Sequence, residues 1–469
     1  MKIPLLASIA GSLLASGCAA MGPNYHRPDL ATPSAYKNQN AAESPRPATA
    51  APIEQWWQIF GDETLNRLET EALAHNPRIE GAVAAISEAR AALGIANAAK
   101  APSLNGSAQV QAAGETSQQT IPILNQSYRT RGSSYTLPFT ASYEIDLWGR
   151  VRRSTESASA LVEASTADYR GVLLSLTTDV AHDYFLLRAL DREALIVKDT
   201  ELGRRNAAEV QAARFRSGMA NELDVHRANV EAATLAADLA DLNRQREQTA
   251  NALAVATGVA SSVFFGPGGV STLANPPAIP PGLPAQLIAR RPDLAGAEAT
   301  LHARTADIGV AQAARMPTIS LTGNAGFAST ELHNLLSRPG QFWNVGSSLT
   351  APIFDGGRLR SAVDQAKARA VEAAANYRQQ TLVALQEVED SLVALSAQSL
   401  QGAAQDEAQT EAAIVATLAK IRYDSGLANY LDVTDADRSL LQVERSQVQL
   451  VAARYTTTVG LIRALGGAW

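Results

Sequence analysis

The chain has 469 residues, 46% of them apolar but only 5% aromatic, a formal net charge of −6, six scattered His and a single Cys. It is too long for one simple core, and an apolar content built from Ala, Leu and Val suits long, closely packed helices better than a broad globular interior. The balance excludes a basic nucleic-acid footprint. The lone thiol and unpaired imidazoles leave no material for a disulfide framework, a zinc site or a Cys-nucleophile enzyme, so no cofactor is expected.

Residues 1–17 read as a secretory signal: Lys2, a short apolar run from Ile3 to Leu14, then Ala15, Ser16 and Gly17 before Cys18. The run is too short to span a bilayer, so a cleaved segment is expected rather than an anchor. The thiol just after small residues fits a bacterial lipobox, in which Cys18 is acylated and becomes the mature N-terminus. The competing reading is ordinary cleavage beside an incidental Cys. Residues 18–61 form a tether rich in Pro, Ala, Ser and Asn, lying along the body or hanging free. A helix is predicted to begin near Gln55, with Asp62 as a cap, and to run to about His75.

From residue 62 the chain is a tandem duplication. The first repeat covers 62–257, a Gly- and Pro-rich connector 258–284, and the second repeat 285–469. Asn76-Pro77 opens a helix that Pro102 closes, and Arg291-Pro292 opens one over 291–315 that Pro317 closes. After each closing Pro the apolar period changes from helical to two. Leu104, Val110 and Ala112 alternate with Asn105, Gln109 and Gln111, and Tyr135, Leu137, Phe139, Tyr143 and Ile145 alternate with Thr136, Thr140 and Ser142. In the second copy Ile319, Leu321 and Phe327, then Trp343, Val345 and Leu349, alternate with Ser, Thr and Asn. Four strands are predicted, over 102–115, 133–146, 317–328 and 342–354, each with one apolar and one uncharged polar face. That is the pattern of an outer-membrane barrel strand, and equally of a soluble sandwich.

No Pro lies between Pro138 and Pro267, and none follows Pro352. Two long helical hairpins are therefore predicted, over 149–257 and 358–465, with a first arm of roughly 100 Å. Each turns at the same motif: RFRSGMANELDVHR over 214–227 and RYDSGLANYLDVTD over 422–435. Gly218 and Gly426 supply a positive φ, and Asn221 and Asn429 suit the cap of the returning helix.

Four strands cannot close a membrane barrel, and an open edge is not tolerated in lipid. If the strands enter a membrane, copies of the chain must share one barrel, and long helices leaving every strand pair would continue it as a tube. From a different class, a periplasmic bridging lipoprotein without a pore is the alternative, although it has no use for aromatic-faced strands.

Taken together, Cys18, Gly22 to Pro28 (GPNYHRP), Trp56-Trp57 with Phe60, Arg290 to Leu294 (RRPDL), Ala306 to Ala311 (ADIGVA), Pro317 to Leu321 (PTISL) and Tyr423 to Asp432 (YDSGLANYLD) resemble the outer membrane factors: TolC-like efflux channels, and among them the NodT-type lipoproteins. The resemblance spans essentially the whole chain. It implies a mixed α+β membrane protein of Gram-negative bacteria. Its homotrimer would form a twelve-stranded β-barrel in the outer membrane, four strands per chain, continued by a long periplasmic α-helical coiled-coil barrel. It also implies outer-membrane lipid around the barrel, a periplasmic membrane-fusion adaptor and an inner-membrane RND-type pump as partners, and efflux of drugs or other small toxic compounds. A type I secretion or metal-efflux conduit is the alternative within the class. In the family, aspartates ring the narrow periplasmic tip. The matching positions here are Asp432 and Asp435, with Tyr423 and Asp224 placed to hold neighbouring coils closed. The Arg that some relatives carry two residues after the corner Gly is replaced by Ala428. From the residues alone, Asp224, Asp432 and Asp435 equally suit dipole compensation in the first turn of a helix.

Overall fold

The computed structural model describes residues 20–29, 33–38, 53–117, 128–264, 266–267, 275–282 and 284–467. The signal segment and Cys18 lie outside them. The chain divides into two compact units. One is Met1–Asp29, Ala85–Ser165 and Gly296–Tyr377; the other is Leu30–Ala84, Thr166–Ala295 and Arg378–Trp469. Each unit draws on both sequence repeats, so the duplication in sequence is not a division into compact bodies.

The first unit holds the sheet. Its strands are β1 (Ser103–Gly106), β2 (Gln109–Ser117), β3 (Tyr128–Ile145), β4 (Thr318–Ser329) and β5 (Gln341–Thr350), all antiparallel. β1 and β2 pair side by side along one edge of β3, so they act as one strand interrupted at Ser107 and Ala108. The interruption faces Pro138, whose carbonyl accepts from Ser107 N–H at 3.1 Å but whose own nitrogen has no hydrogen to give. The predicted strand over 102–115 is therefore two strands. The second begins earlier than predicted, at Tyr128, and the fourth ends at Thr350, leaving Ile353 and Phe354 more than 90% exposed beyond it.

The registers put all the alternating apolar residues on one face. Leu104, Val110, Tyr135, Leu137, Phe139, Tyr143, Ile145, Ile319, Leu321, Phe327, Trp343, Val345 and Leu349 share it. Trp343 is 79% exposed and Val345 77%, so this face is uncovered on the isolated chain. The opposite face carries Thr136, Thr140, Ser142, Thr322, Asn324 and Asn344, with an Asn324–Asn344 side-chain hydrogen bond of 3.1 Å. Among the described residues the sheet ends at β5 on one side and at β1/β2 on the other, with both edges unpaired. No described helix is long and apolar enough to cross a membrane.

The helices are α1 (Glu63–His75), α2 (Pro77–Ala98), α3 (Arg150–Arg216), α4 (Glu222–Ala256), α5 (Pro284–Arg290), α6 (Pro292–Ala313), α7 (Arg358–Asp424) and α8 (Tyr430–Ala464). α3 and α7 each have 67 residues, and α4 and α8 each have 35. The helix predicted from Gln55 to His75 is broken. Ile53–Phe60 is a 3-10 segment, Gly61 takes φ +64°, and Asp62 then caps α1 by accepting from Thr64 and Leu65 N–H.

The second unit has its core where the helices pack. Leu190 and Val197 of α3 meet Leu235 and Leu242 of α4, with Leu441 of α8 against them. Both pairs are seven residues apart, the spacing of a coiled-coil seam. Nearby, the rings of Phe60, Phe185 and Tyr455 pack together at tilted angles, with Phe185 and Tyr455 centroids 4.2 Å apart, and the Trp56 indole donates to Thr177 Oγ1. Equivalent ends of the two repeats are closed by different residues. Asn76 donates to the last carbonyls of α4, Val255 and Ala256. Arg291 donates to Ala464 at the end of α8 while gripping Asp293 and Glu387.

Candidate functional site: the paired helical corners

All four candidate gate residues lie in the second unit, at the two corners where α3 turns into α4 and α7 into α8. The corners are copies. Gly218 takes φ +71° and Gly426 φ +73°, and each closes its helix with the double backbone bond of a Schellman turn: Met219 N–H to Arg214 O and Leu427 N–H to Arg422 O, both 2.8 Å. Asn221 then accepts from Asp224 N–H at 2.9 Å, and Asn429 from Asp432 N–H at 3.0 Å. A β-carbon at these glycines would meet open space, so the left-handed φ alone calls for Gly.

The gate candidates have separate local partners. The Asp432 carboxylate accepts from Asn429 N–H at 3.1 Å, completing a capping box. Asp435, one turn on and exposed, lies 3.5 Å from Arg438. Asp224 is half-buried and lies 3.8 Å from Arg227. Tyr423 does not meet Asp224: its hydroxyl accepts from Gln211 Nε2 and Arg214 Nη1 of α3, both at 2.7 Å. The Arg214 guanidinium also lies 5.3 Å from the Tyr423 ring centre. Tyr423 and Tyr430 then pack with Ala208 and Ala228, so this aromatic pair joins the tip of one hairpin to the tip of the other. The Tyr430 hydroxyl is buried there with no hydrogen-bond partner.

Sequence reasoning missed the charged ladder that continues from this junction. Arg438 of α8 binds Glu231 of α4, with Nε to Oε2 at 3.0 Å. Seven residues on, Arg445 reaches Glu193 of α3 at 2.8 Å and Asp238 of α4 at 3.0 Å, while Gln449 donates to Glu193. Arg204 of α3 answers from the other side with Asp437 at 3.2 Å. Burial pushes the Asp437 carboxyl above the usual range, against the pull of Arg204 and Lys420. The signal was present in the sequence: Glu231 and Asp238, like Arg438 and Arg445, stand one heptad apart. Among the described residues no cluster of His, Cys, Asp or Glu could hold a metal ion.

The family model for outer membrane efflux proteins matches residues 68–259 and 283–467, which takes in both hairpins, the sheet and both corners. The chain belongs to this family. The outer membrane protein OprJ of Pseudomonas aeruginosa is 33% identical over 460 residues, covering 97% of this chain and 94% of the relative. The probable outer membrane lipoprotein SilC of Salmonella typhimurium is 28% identical over 468 residues, covering all of this chain and 99% of the relative. Among solved structures, the outer-membrane channel OprN superposes with a TM-score of 0.87 at 30% identity, covering 96% of this chain and 99% of that one. The efflux protein described here is thus an outer membrane protein.

Proposed function

We propose that three copies of this efflux protein share one twelve-stranded barrel in the outer membrane. In this reading the paired hairpins of the three chains form a helical barrel in the periplasm, and the whole is the passive exit duct of a tripartite pump. A periplasmic adaptor and an inner-membrane RND-type pump load it and supply the energy, and the cargo is small toxic compounds. The observation that carries this reading is the sheet: one aromatic-bearing apolar face, one uncharged polar face and two unpaired edges. In lipid such edges must be paired, and pairing with further copies closes a pore lined by Thr, Ser and Asn.

The closed end of the duct is assigned to the corners. Asp432 and Asp435 from three chains form a ring that favours cations and opposes anions. Tyr423, held by Arg214 and Gln211, and Asp224 keep the coils together there. Planar-bilayer recordings test this. Wild-type protein should give low, cation-selective conductance. Asp432→Ala/Asp435→Ala should raise conductance and weaken block by multivalent cations added on the corner side. If both aspartates serve only their helix ends, the double variant loses a little stability and keeps its selectivity, which refutes the ring.

Acylation of Cys18 supplies a second membrane hold, a reading supported by the residues before it and by the lipoprotein relative. Intact-mass spectrometry of the mature N-terminus reads the acyl chains directly, and an unmodified thiol contradicts it.

A further inference from the structure

In the sheet, β1/β2 with β3 and β4 with β5 are neighbours in sequence, so a connecting loop limits how far each pair can slip. The β3–β4 seam has no such loop. It joins the two repeats, running from Ile145 opposite Ile319 to Tyr135 opposite Ser329, and more than 170 residues separate Ile145 from Thr318. A slip of two residues would keep every apolar side chain on its proper face, and β4 is rich in Gly and Ala, so alternation alone specifies this register weakly.

At the base of the seam lies a knot of bonds that includes the N-terminal segment. The Trp148 indole N–H, just after β3, donates to Pro317 O, just before β4, at 2.7 Å. Met21 N–H donates to Trp148 O at 2.9 Å. Arg153, 5% exposed, donates to Met21 O at 3.0 Å, to Gly22 O at 3.4 Å and to Asn24 Oδ1 at 2.7 Å, and pairs with Glu156 at 2.7 Å. The segment lies backbone to backbone on α6. A β-carbon on Gly22 would come 2.5 Å from Gly309 Cα. One on Gly309 would come 2.5 Å from Met21 O and 2.8 Å from Arg153 Cγ. Tyr25 stacks on His302 at 4.6 Å, and Tyr25 and Arg27 both bind Glu298. Within the seam there is one notch. Gly326 stands opposite Pro138, and a β-carbon there would run into the Leu137 carbonyl.

We propose that residues 21–27, keyed by Arg153 into the slot over Gly309, set the hydrogen-bond register of the β3–β4 seam, with the Gly326–Pro138 notch as its second fixed point. A segment touching the first turn of α3 and the middle of α6 at once fits only one alignment of Trp148 with Pro317. Each residue of slip would carry these partners about 3.3 Å apart. The seam has this property whether or not three chains share a barrel.

Cysteine trapping in isolated outer membranes tests it. Ser142 and Thr322 are opposite in the native register, whereas Ser142 with Ser320 or with Asn324 reports a slip of two. Each pair is introduced as cysteines and oxidised. The linked peptides are identified by mass spectrometry, which separates any product involving Cys18. In the otherwise unchanged chain the native pair should dominate. In Arg153→Ala and in Gly309→Val the native-to-slipped ratio should fall by about tenfold, the effect of losing roughly 1.4 kcal/mol of discrimination. Arg445→Ala, which weakens the helical unit far from the seam in sequence, should leave the ratio unchanged. An unchanged ratio in both segment variants overturns the proposal, as does an equal fall in Arg445→Ala. If those two variants yield no folded protein, Arg153→Lys keeps the buried charge without the fork, and an unchanged ratio there overturns it as well.

Discussion

Asp432 shows how one carboxylate can serve a helix end and remain a gate candidate. Its oxygen completes the capping box on Asn429, which accounts for an Asp at that position without any lumen. Asp435 makes no cap and sits exposed beside Arg438, so it is the better probe of a ring. Glu69 poses a different question at the same scale. It is fully buried in α1, neither oxygen has a hydrogen-bond partner, and burial holds its carboxyl well above the usual range. The folded state therefore keeps the proton that the unfolded chain releases near pH 4. The stabilising effect of that proton is complete below this pH and is lost as pH rises towards the raised folded value. Wild-type thermal midpoints in detergent should accordingly fall between pH 5 and pH 8, and Glu69→Gln should flatten that slope and melt higher at pH 8. Parallel slopes for the two proteins would mean that Glu69 is not the group responsible.

At the scale of elements, the corners were the most legible part of the sequence. A Ser-Gly pair followed by Asn dictates a Schellman stop and a side-chain cap, and both repeats have them. The strands were legible in existence and face but not in extent. Pro138 breaks the partner of β3 for a reason the sequence already held, a missing N–H in mid-strand, and that signal went unused. Gly61 likewise, at φ +64°, ends a segment that the helix signals from Gln55 to His75 joined to α1. What no local pattern could reveal was long-range pairing: Tyr423 with Arg214, and Arg445 with Glu193, whose partners lie more than 200 residues away. The ladder also makes a prediction about energy. Glu193 is buried, so Arg445→Ala leaves a buried carboxylate short of its cation and should cost about 2–3 kcal/mol. Arg244 and Asp241 form an exposed, solvent-screened pair within one helix, and Arg244→Ala should leave the denaturation midpoint nearly unchanged. Denaturation midpoints in matched detergent rank the two, and equal losses would deny the ladder its role.

At the scale of the whole molecule, the duplication explains why one chain contributes two strand pairs and two hairpins, and why the bonds at equivalent places differ in residue but not in purpose. Asn76 and Arg291 both close the end of a returning helix, one with an amide and the other with a guanidinium. In the proposed shared barrel, the sheet is the property that calls for assembly: its apolar face is bounded by two unpaired edges among the described residues, and lipid cannot satisfy such edges. Light scattering of the purified protein, with the detergent contribution subtracted, tests that most directly. Three copies of the mature chain per particle is the predicted result. A stable monomer, with its sheet edges open in detergent, would contradict the shared barrel.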